Sequence, residues 1–464
     1  MNYLPTICAI STASGQGAIA VIRVSGDEAI AICDAIFVAA KAGKKLKDVP
    51  ANTIHYGSIY DGATVLDDVL LSVFKAPHSF TGEHAVEIAC HGSQYIQQQL
   101  LQLLVRKGAV LAQPGEFSKR AFSNGKMDLS QAEAIGDLIA SSSAASHRIA
   151  MQQMRGGFSH ELVLLRQDLL TFVSLLELEL DFGEEDVEFA NREELKALIQ
   201  KISDKLSHLA NSFSLGNAIK NGIPVAIVGE TNVGKSTLLN LLLNEEKAIV
   251  SDIHGTTRDS IEDTVVINGI TFRFIDTAGL RHTTDVIENL GIERTYQKIS
   301  QAEIVLLVVD AVQDIRAIEQ QISKIEPYLF EKKMILVCNK TDLLSASALA
   351  ALTEIKFPAV QKVVLLSAKH GTNAPQLQHM LMDVANLAAI NEQDVIVSNV
   401  RHYEALVKAL AAVNRVAEGL DNSIPADFLS QDIRECMHYL GEITGAIGTE
   451  EILGSIFSRF CIGK

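Results

Sequence analysis

Apolar and polar positions alternate with a period of two through residues 1 to about 120, in short runs divided by glycine-containing turns, a pattern that predicts strands. Gly17-Ala-Ile-Ala-Val-Ile-Arg-Val24 and His84-Ala-Val-Glu-Ile-Ala-Cys90 are two of them, and one amphipathic helix is predicted over 94–107. Gly15-Gln-Gly17 precedes an apolar strand where a dinucleotide site would have a helix, so it reads as a turn between strands. After Lys126 the period becomes helical. Ser130-Gln-Ala-Glu133 reads as a capping box opening a helix that lasts to Gly156-Gly157; a second helix covers 159–180, and a third runs from the box Asn191-Arg-Glu-Glu194 to about 214. From Ile223 to about 390 strand and helix alternate, and helical segments resume at 400–420, 425–441 and 449–460. The economical reading is an α/β domain at 1–122, a helical domain split between 123–215 and 381–464, and an α/β domain at 216–380 inserted into it.

Composition narrows the setting. Forty basic against 56 acidic residues give a formal charge of −16, which argues against a broad, non-specific grip on nucleic acid but leaves room for a local basic patch. Six scattered cysteines with no C-x-x-C pair argue against a disulfide framework or a structural zinc site. The start lacks the basic residue of a secretory signal, and no apolar run reaches the ~20 residues of a membrane span. A reducing, cytoplasmic setting away from membranes is expected. The carboxylate-dense segment 177–188 reads as a solvated interhelical loop, and His78, His84 and His91 lack metal-ligand spacing.

Five elements in the inserted domain carry chemistry. Strand 225–228 runs into Gly229-Glu-Thr-Asn-Val-Gly-Lys-Ser236, a G-x-x-x-x-G-K-[ST] loop whose amides curl round phosphates while Lys235 reaches the β- and γ-phosphates and Ser236 ligates magnesium. Asn232, Val233, Gly234 and Thr237 complete the phosphate-side set. The polar loop Ser251-Asp-Ile-His-Gly-Thr-Thr-Arg-Asp259 places Asp252, His254, Gly255 and Thr256 near the nucleotide and Thr257 on magnesium and the γ-phosphate, as a switch. A hairpin turning at Asn268-Gly269 delivers Asp276-Thr277-Ala278-Gly279, its aspartate in the outer magnesium sphere and its glycine amide facing the γ-phosphate. Strand 334–338 ends in Asn339-Lys340-Thr-Asp342, whose carboxylate accepts from guanine N1–H and the exocyclic amine. Strand 363–366 ends in Ser367-Ala368-Lys369, whose backbone meets guanine O6. Five such elements in this order define a guanine-nucleotide site.

One position departs from the Ras-like arrangement. Leu280 stands where glutamine would orient the attacking water. Arg281, Asp285 and Glu288 follow it, and Asn232 has an oxygen suited to a monovalent cation. From the residues alone each of these is more often an ordinary surface side chain.

The last residues are Phe460-Cys-Ile-Gly-Lys464. With the strand-rich start, the split helices and the inserted nucleotide domain, the chain closely resembles the tRNA-modification GTPase family MnmE/TrmE over essentially its whole length. The terminal C-I-G-K separates this family from general GTPases. The resemblance implies a potassium-activated GTPase that forms a homodimer, pairing across its nucleotide faces, and a heterotetramer with the flavoprotein MnmG, which carries the FAD. It implies transfer of an aminomethyl or carboxymethylaminomethyl group to C5 of the wobble uridine of certain tRNAs, with a tetrahydrofolate one-carbon unit. It puts potassium on Asn232, Ser251, Ile253 and Thr256, and the catalytic, water-positioning carboxylate on Glu288. It puts folate on Arg23, Glu87, Lys126 and Lys464, in an α/β folate-binding domain.

The residues agree in part. Glu87 points away from Val86, Ile88 and Cys90, and Arg23 inside an apolar strand calls for an anionic partner, although a structural ion pair serves equally well. Cys461 reads either as a participant in one-carbon chemistry or as a packed thiol. Two rivals stand beside the family reading. A ribosome-assembly GTPase would append a basic RNA-binding module, and none is seen. A stand-alone folate-dependent transferase would act without a flavoprotein. The acidic balance suggests that the partner supplies much of the grip on RNA.

Overall fold

The computed structural model describes residues 4–41, 43–182, 192–246, 263–275, 296, 298–330, 332–353, 357–385, 395–422, 424–447, 450–458, 460 and 463. Two compact units emerge: Met1–Ile139 with Gln152–Asp204 and Ala405–Lys464, and Ala140–Met151 with Lys205–Glu404.

The first unit opens on a seven-stranded sheet. Strands β1 (Ile7–Ile10), β2 (Ile19–Ser25), β3 (Phe37–Ala39), β4 (Thr53–Asp61), β5 (Thr64–Phe74), β6 (Ala85–His91) and β7 (Val110–Leu111) are ordered β3-β4-β5-β6-β2-β1-β7, antiparallel except for β1 with β7. The period-two pattern sends Ile22, Val24, Leu71, Val86 and Ile88 to one buried face, where Ile32 of helix α1 (Ala29–Asp34) and Leu100, Leu103 and Leu104 of helix α2 (Gln94–Arg106) join them in one core. Gly15 and Gly17 lie in the connection between the antiparallel strands β1 and β2. His84 Nδ1 accepts from the Ala76 amide at 3.2 Å, and His91 Nδ1 lies 2.7 Å from Asp67.

Helices α3 (Glu116–Ser123), α4 (Leu129–Ala140), α5 (Ala144–Met154), α6 (Gly157–Phe182) and α7 (Arg192–Asn211) follow. Two expectations are corrected here. The capping box sits two residues earlier than the sequence suggests: Asp128 Oδ1 accepts from the Gln131 amide at 2.9 Å while Gln131 Oε1 accepts from the Asp128 amide at 3.0 Å. Ser130 is already helical and buried. The predicted single helix to Gly156 is two, because Ser143 and Ser146 cap α5 reciprocally, each hydroxyl accepting the other's amide at 3.1 Å. Helix α6 packs on a helix at Ala426–Thr444, and Lys196 of α7 reaches Asp421 at 2.8 Å, so segments on both sides of the inserted domain share one unit. Near the end of the chain, Phe457 packs with Phe122 and Phe460, and Ser11 Oγ donates to the Gly463 carbonyl at 3.2 Å.

The second unit holds a six-stranded sheet. Strands β8 (Ile223–Val228), β9 (Asp263–Ile267), β10 (Ile270–Phe274), β11 (Ile304–Asp310), β12 (Lys333–Asn339) and β13 (Lys362–Leu365) are ordered β13-β12-β11-β8-β10-β9, parallel except for the β9–β10 hairpin. Asn268 and Gly269, both at positive φ, make its turn. Strands β8, β11 and β12 are near-continuous Val, Ile and Leu because both sheet faces are covered. This is a Ras-like α/β domain.

Candidate functional site

Parallel strands place the site by ending together. The carboxyl ends of β8, β11, β12 and β13 lie along one edge of the sheet, where open α/β sheets bind ligands. Strand β8 leaves at Gly229, whose φ of 145° and close approach to the Val308 carbonyl leave no room for a side chain. The loop then turns through Asn232 and Gly234, at φ 63° and 97°, into helix α9 (Lys235–Glu246), which follows α8 (Phe213–Asn221) in helix order. Lys235 Nζ donates to the carbonyls of Gly229, at 2.8 Å, and of Glu230. Burial, helped by Lys298 and opposed by Glu230, pulls the ammonium's pKa below its ordinary value. A desolvated cation at a helix N-terminus is well matched to phosphate oxygens.

The base side is built from β12 and β13. Asn339 is buried; its Nδ2 donates to the Val233 carbonyl at 2.7 Å, and its Oδ1 accepts from the Ala368 amide at 2.9 Å. One side chain thus ties the phosphate loop to the Asn339–Asp342 and Ser367–Lys369 segments. Lys340 takes a left-handed conformation, φ 65°, and its Nζ lies 2.7 Å from Asp310 Oδ2. Ser367 Oγ donates to Asp342 Oδ1 at 2.6 Å, and His370 Nε2 lies 3.7 Å from Asp342 Oδ2. The Ser367 bond is the main reason that Asp342 titrates below the ordinary carboxylate range. Asp342 is therefore an ionised acceptor at neutral pH, with Oδ1 oriented by Ser367.

Thus Asn232 to Thr237, Asn339, Lys340, Asp342 and Ser367 to Lys369 converge on one sheet edge. Ser251 to Thr257, Asp276 to Gly279, Leu280, Arg281, Asp285 and Glu288 lie outside the described residues, as do Cys461, Lys464 and the side chains of 177–188. Asp310 escaped the sequence reading, because an aspartate closing an apolar strand belongs to no motif. So did Gln313, whose Nε2 reaches Glu230 Oε2 at 3.4 Å.

A second cluster lies on the sheet of the first unit. Arg23 on β2 faces Glu87 on β6 in register, with guanidinium–carboxylate distances of 2.8 and 2.9 Å. The carboxylate that the apolar strand called for is Glu87 itself. Phe80 and Phe117 lie under the guanidinium, 5.2 and 5.6 Å from ring centroid to carbon. Lys126 is exposed, and its Nζ donates to the Pro77 carbonyl at 3.0 Å. Arg23 and Lys126 thus meet the same loop, 75–84, the one through Phe80 and the other through Pro77. Buried Arg120 holds that loop by ion-pairing with Glu83 and Glu116 and donating to the Pro5 carbonyl. Ser25 and Thr81 join the network through Glu83 and each other. Sequence reading found the pair and missed its support.

Among the described residues no His/Cys/Asp/Glu group could hold a metal, and no helix is long and apolar enough to cross a membrane. A model of the MnmE helical domain matches residues 129–461, and a model of the GTP-binding protein TrmE N-terminus matches residues 6–126. The tRNA modification GTPase MnmE of Bacteroides thetaiotaomicron is 59% identical over 99% of both chains. The protein of that name from Parabacteroides distasonis is 56% identical over 99% of this chain and 100% of its own. Among solved structures, Aquifex aeolicus Era Y63A bound to GDP·AlF4− is 28% identical, covering 41% of this chain and 66% of that one with a TM-score of 0.27.

Proposed function

Since the chain belongs to the MnmE family of tRNA modification GTPases, we propose that it couples GTP hydrolysis to modification of tRNA at C5 of the wobble uridine. The group added is aminomethyl or carboxymethylaminomethyl, drawn from a tetrahydrofolate one-carbon unit, with the flavoprotein MnmG as partner and a homodimer as the working form. What supports the reading is that the family likeness covers both flanks, residues 6–126 and 129–461, and not the nucleotide domain alone. A GTPase used for another purpose would have no reason to keep them.

In this reading Lys235 and the 229–236 amides hold the phosphates, Ser236 and Thr257 hold magnesium, and Asp342 with Ser367 to Lys369 reads the guanine. Potassium, held by Asn232, Ser251, Ile253 and Thr256, supplies the positive charge that an arginine finger gives elsewhere. Asn232 suits that role, being exposed and in a left-handed turn of the phosphate loop. Glu288 positions the water that Leu280 cannot. The folate set is Arg23, Glu87, Lys126 and Lys464. The partly exposed ring of Phe80 beside Arg23, backed by buried Phe117, fits a flat heterocycle, and Glu87 keeps a second carboxylate oxygen for its amine and ring N–H. Cys461 is assigned no step.

Two outcomes test the reading. Nucleoside analysis of tRNA from cells lacking the protein should show loss of the modified wobble uridine. Its persistence would refute the assignment in favour of an assembly factor. GTP turnover in potassium should exceed that in sodium by about tenfold or more, whereas equal rates would remove the cation from the mechanism.

A further inference from the structure

In a chain of net charge −16, the segment Lys41-Ala-Gly-Lys-Lys-Leu-Lys47 carries four positive charges and no negative one. It joins β3 to β4 on the rim of the first unit's sheet, and Lys41, Lys44, Lys45 and Lys47 are all exposed. The loop is held firmly from below. Leu46 and Val49 are buried in the sheet's core, and the Leu46 amide donates to Asp34 Oδ1 at 2.6 Å. Lys75 adds a fifth charge, its Nζ donating to the Lys47 carbonyl at 3.3 Å. Lys44 stands near enough to His55 to help burial lower that imidazole's pKa. No carboxylate pairs with any of these five ammonium groups among the described residues.

An aromatic surface adjoins the charges. The Ala40 amide donates to the Tyr56 carbonyl at 3.0 Å, which brings the chain at Lys41 to the sheet's rim next to Tyr56, the tyrosine on the open face and the loop's anchors, Leu46 and Val49, on the covered one. Tyr56 is 58% exposed; Leu70, opposite it on β5, Ile54 on its own strand and Val38 on β3 are exposed too. Lysines carried by an anchored loop along the rim of a sheet whose open face holds a tyrosine have the composition of a nucleic-acid contact: cations for the phosphates, a ring face for an unstacked base.

We propose that the 41–47 loop, with Lys75 and Tyr56, is a contact surface for the phosphate backbone of the tRNA on which this chain acts. The inference rests on the tRNA reading above and adds to it a place on the chain. An acidic protein would also meet the lysines, but it gives no use to the tyrosine. The local patch also reconciles an acidic chain with an RNA substrate, since phosphate contacts need only local charge and few contacts give weak, salt-sensitive binding.

The test compares the full-length wild-type chain with a Lys41→Glu/Lys44→Glu/Lys45→Glu/Lys47→Glu variant and with the corresponding four glutamine substitutions. The probe is a labelled tRNA with an unmodified wobble uridine, titrated at salt from about 50 to 200 mM. The glutamate variant should bind at least ~10-fold more weakly at low salt, and the glutamine variant should lower the salt slope by roughly three to four. Tyr56→Ala should weaken binding with the slope retained, and basal GTP turnover should be unchanged in all variants. Wild-type-like affinity and slope in the lysine variants would overturn the proposal, as would a wild-type chain that does not bind tRNA at low salt. The tRNA reading fails separately, if wild-type protein restores no wobble modification to cells lacking it.

Discussion

Replacing Asp342 by asparagine is expected to turn a guanine site into a xanthine site. Guanine offers two donors on this edge, N1–H and the exocyclic amine, and an ionised carboxylate accepts both. Each charge-assisted bond is worth about 1.5–3 kcal/mol. Asparagine keeps one acceptor but turns the other atom into a donor facing guanine, so the bond lost and the charge removed from the one that remains should together weaken GTP about 100-fold. Xanthine has a carbonyl where guanine has its amine. The geometry indicates which way the new amide would face. Ser367 Oγ donates to Asp342 Oδ1, and in the variant the amide oxygen keeps that bond as it stands, whereas the amide nitrogen would require the hydroxyl to turn and accept. The amide nitrogen then takes the place of Oδ2 and donates to the xanthine carbonyl. Xanthosine triphosphate should therefore gain while GTP loses, and Ser367→Ala in the Asp342→Asn background should erode the switch by freeing the amide to flip. Affinities of labelled GDP and XDP, measured for the three proteins, decide it. Unchanged selectivity in the single variant would remove Asp342 from base recognition.

The same pair shows how far a sequence can be read. Asp342 and Ser367 were legible because each closes or follows an apolar strand, and the order of strand-end motifs is a one-dimensional signal. Their contact was not legible, being set by the lateral pairing of β12 with β13. Asp310 illustrates the converse: it sits opposite Asn339 on the neighbouring strand and holds Lys340, yet nothing in its local sequence separates it from any aspartate after a buried run. Helix starts failed for a related reason. Ser130 and Asp128 both have the chemistry of a cap, and which of them caps depends on where the chain turns, a property of the packing of α4. In the first unit, alternation along β2 and β6 put Arg23 and Glu87 on the same face, and only the strand register made them partners. Arg120 is the least legible residue, a cation buried in a short helix, with one acceptor a turn away at Glu116 and the other two, Glu83 and the Pro5 carbonyl, from distant positions.

Gly234→Ala is expected to lower nucleotide affinity by about 100-fold or more, although glycine offers the nucleotide nothing beyond its amide. A Cβ at this position would lie 2.2 Å from Asn339 Nδ2, a distance no packing tolerates, and the φ of 97° is itself unfavourable to alanine. The clash falls on the side chain that links the phosphate loop to both base segments, donating to Val233 and accepting from Ala368. Displacing Asn339 leaves that carbonyl and that amide unpaired in the interior, at about 1–3 kcal/mol each. The loss should thus appear on phosphate and base together. Inorganic pyrophosphate, which probes the loop alone, and the nucleoside, which probes the base segments alone, should both bind more weakly. Asn339→Ala provides the control, since it removes the link without the clash. If the link is the route, Gly234→Ala should cost clearly less in the Asn339→Ala background than in the wild type. A full, additive penalty would mean that the glycine acts through its own backbone conformation and that the two halves of the site are held independently.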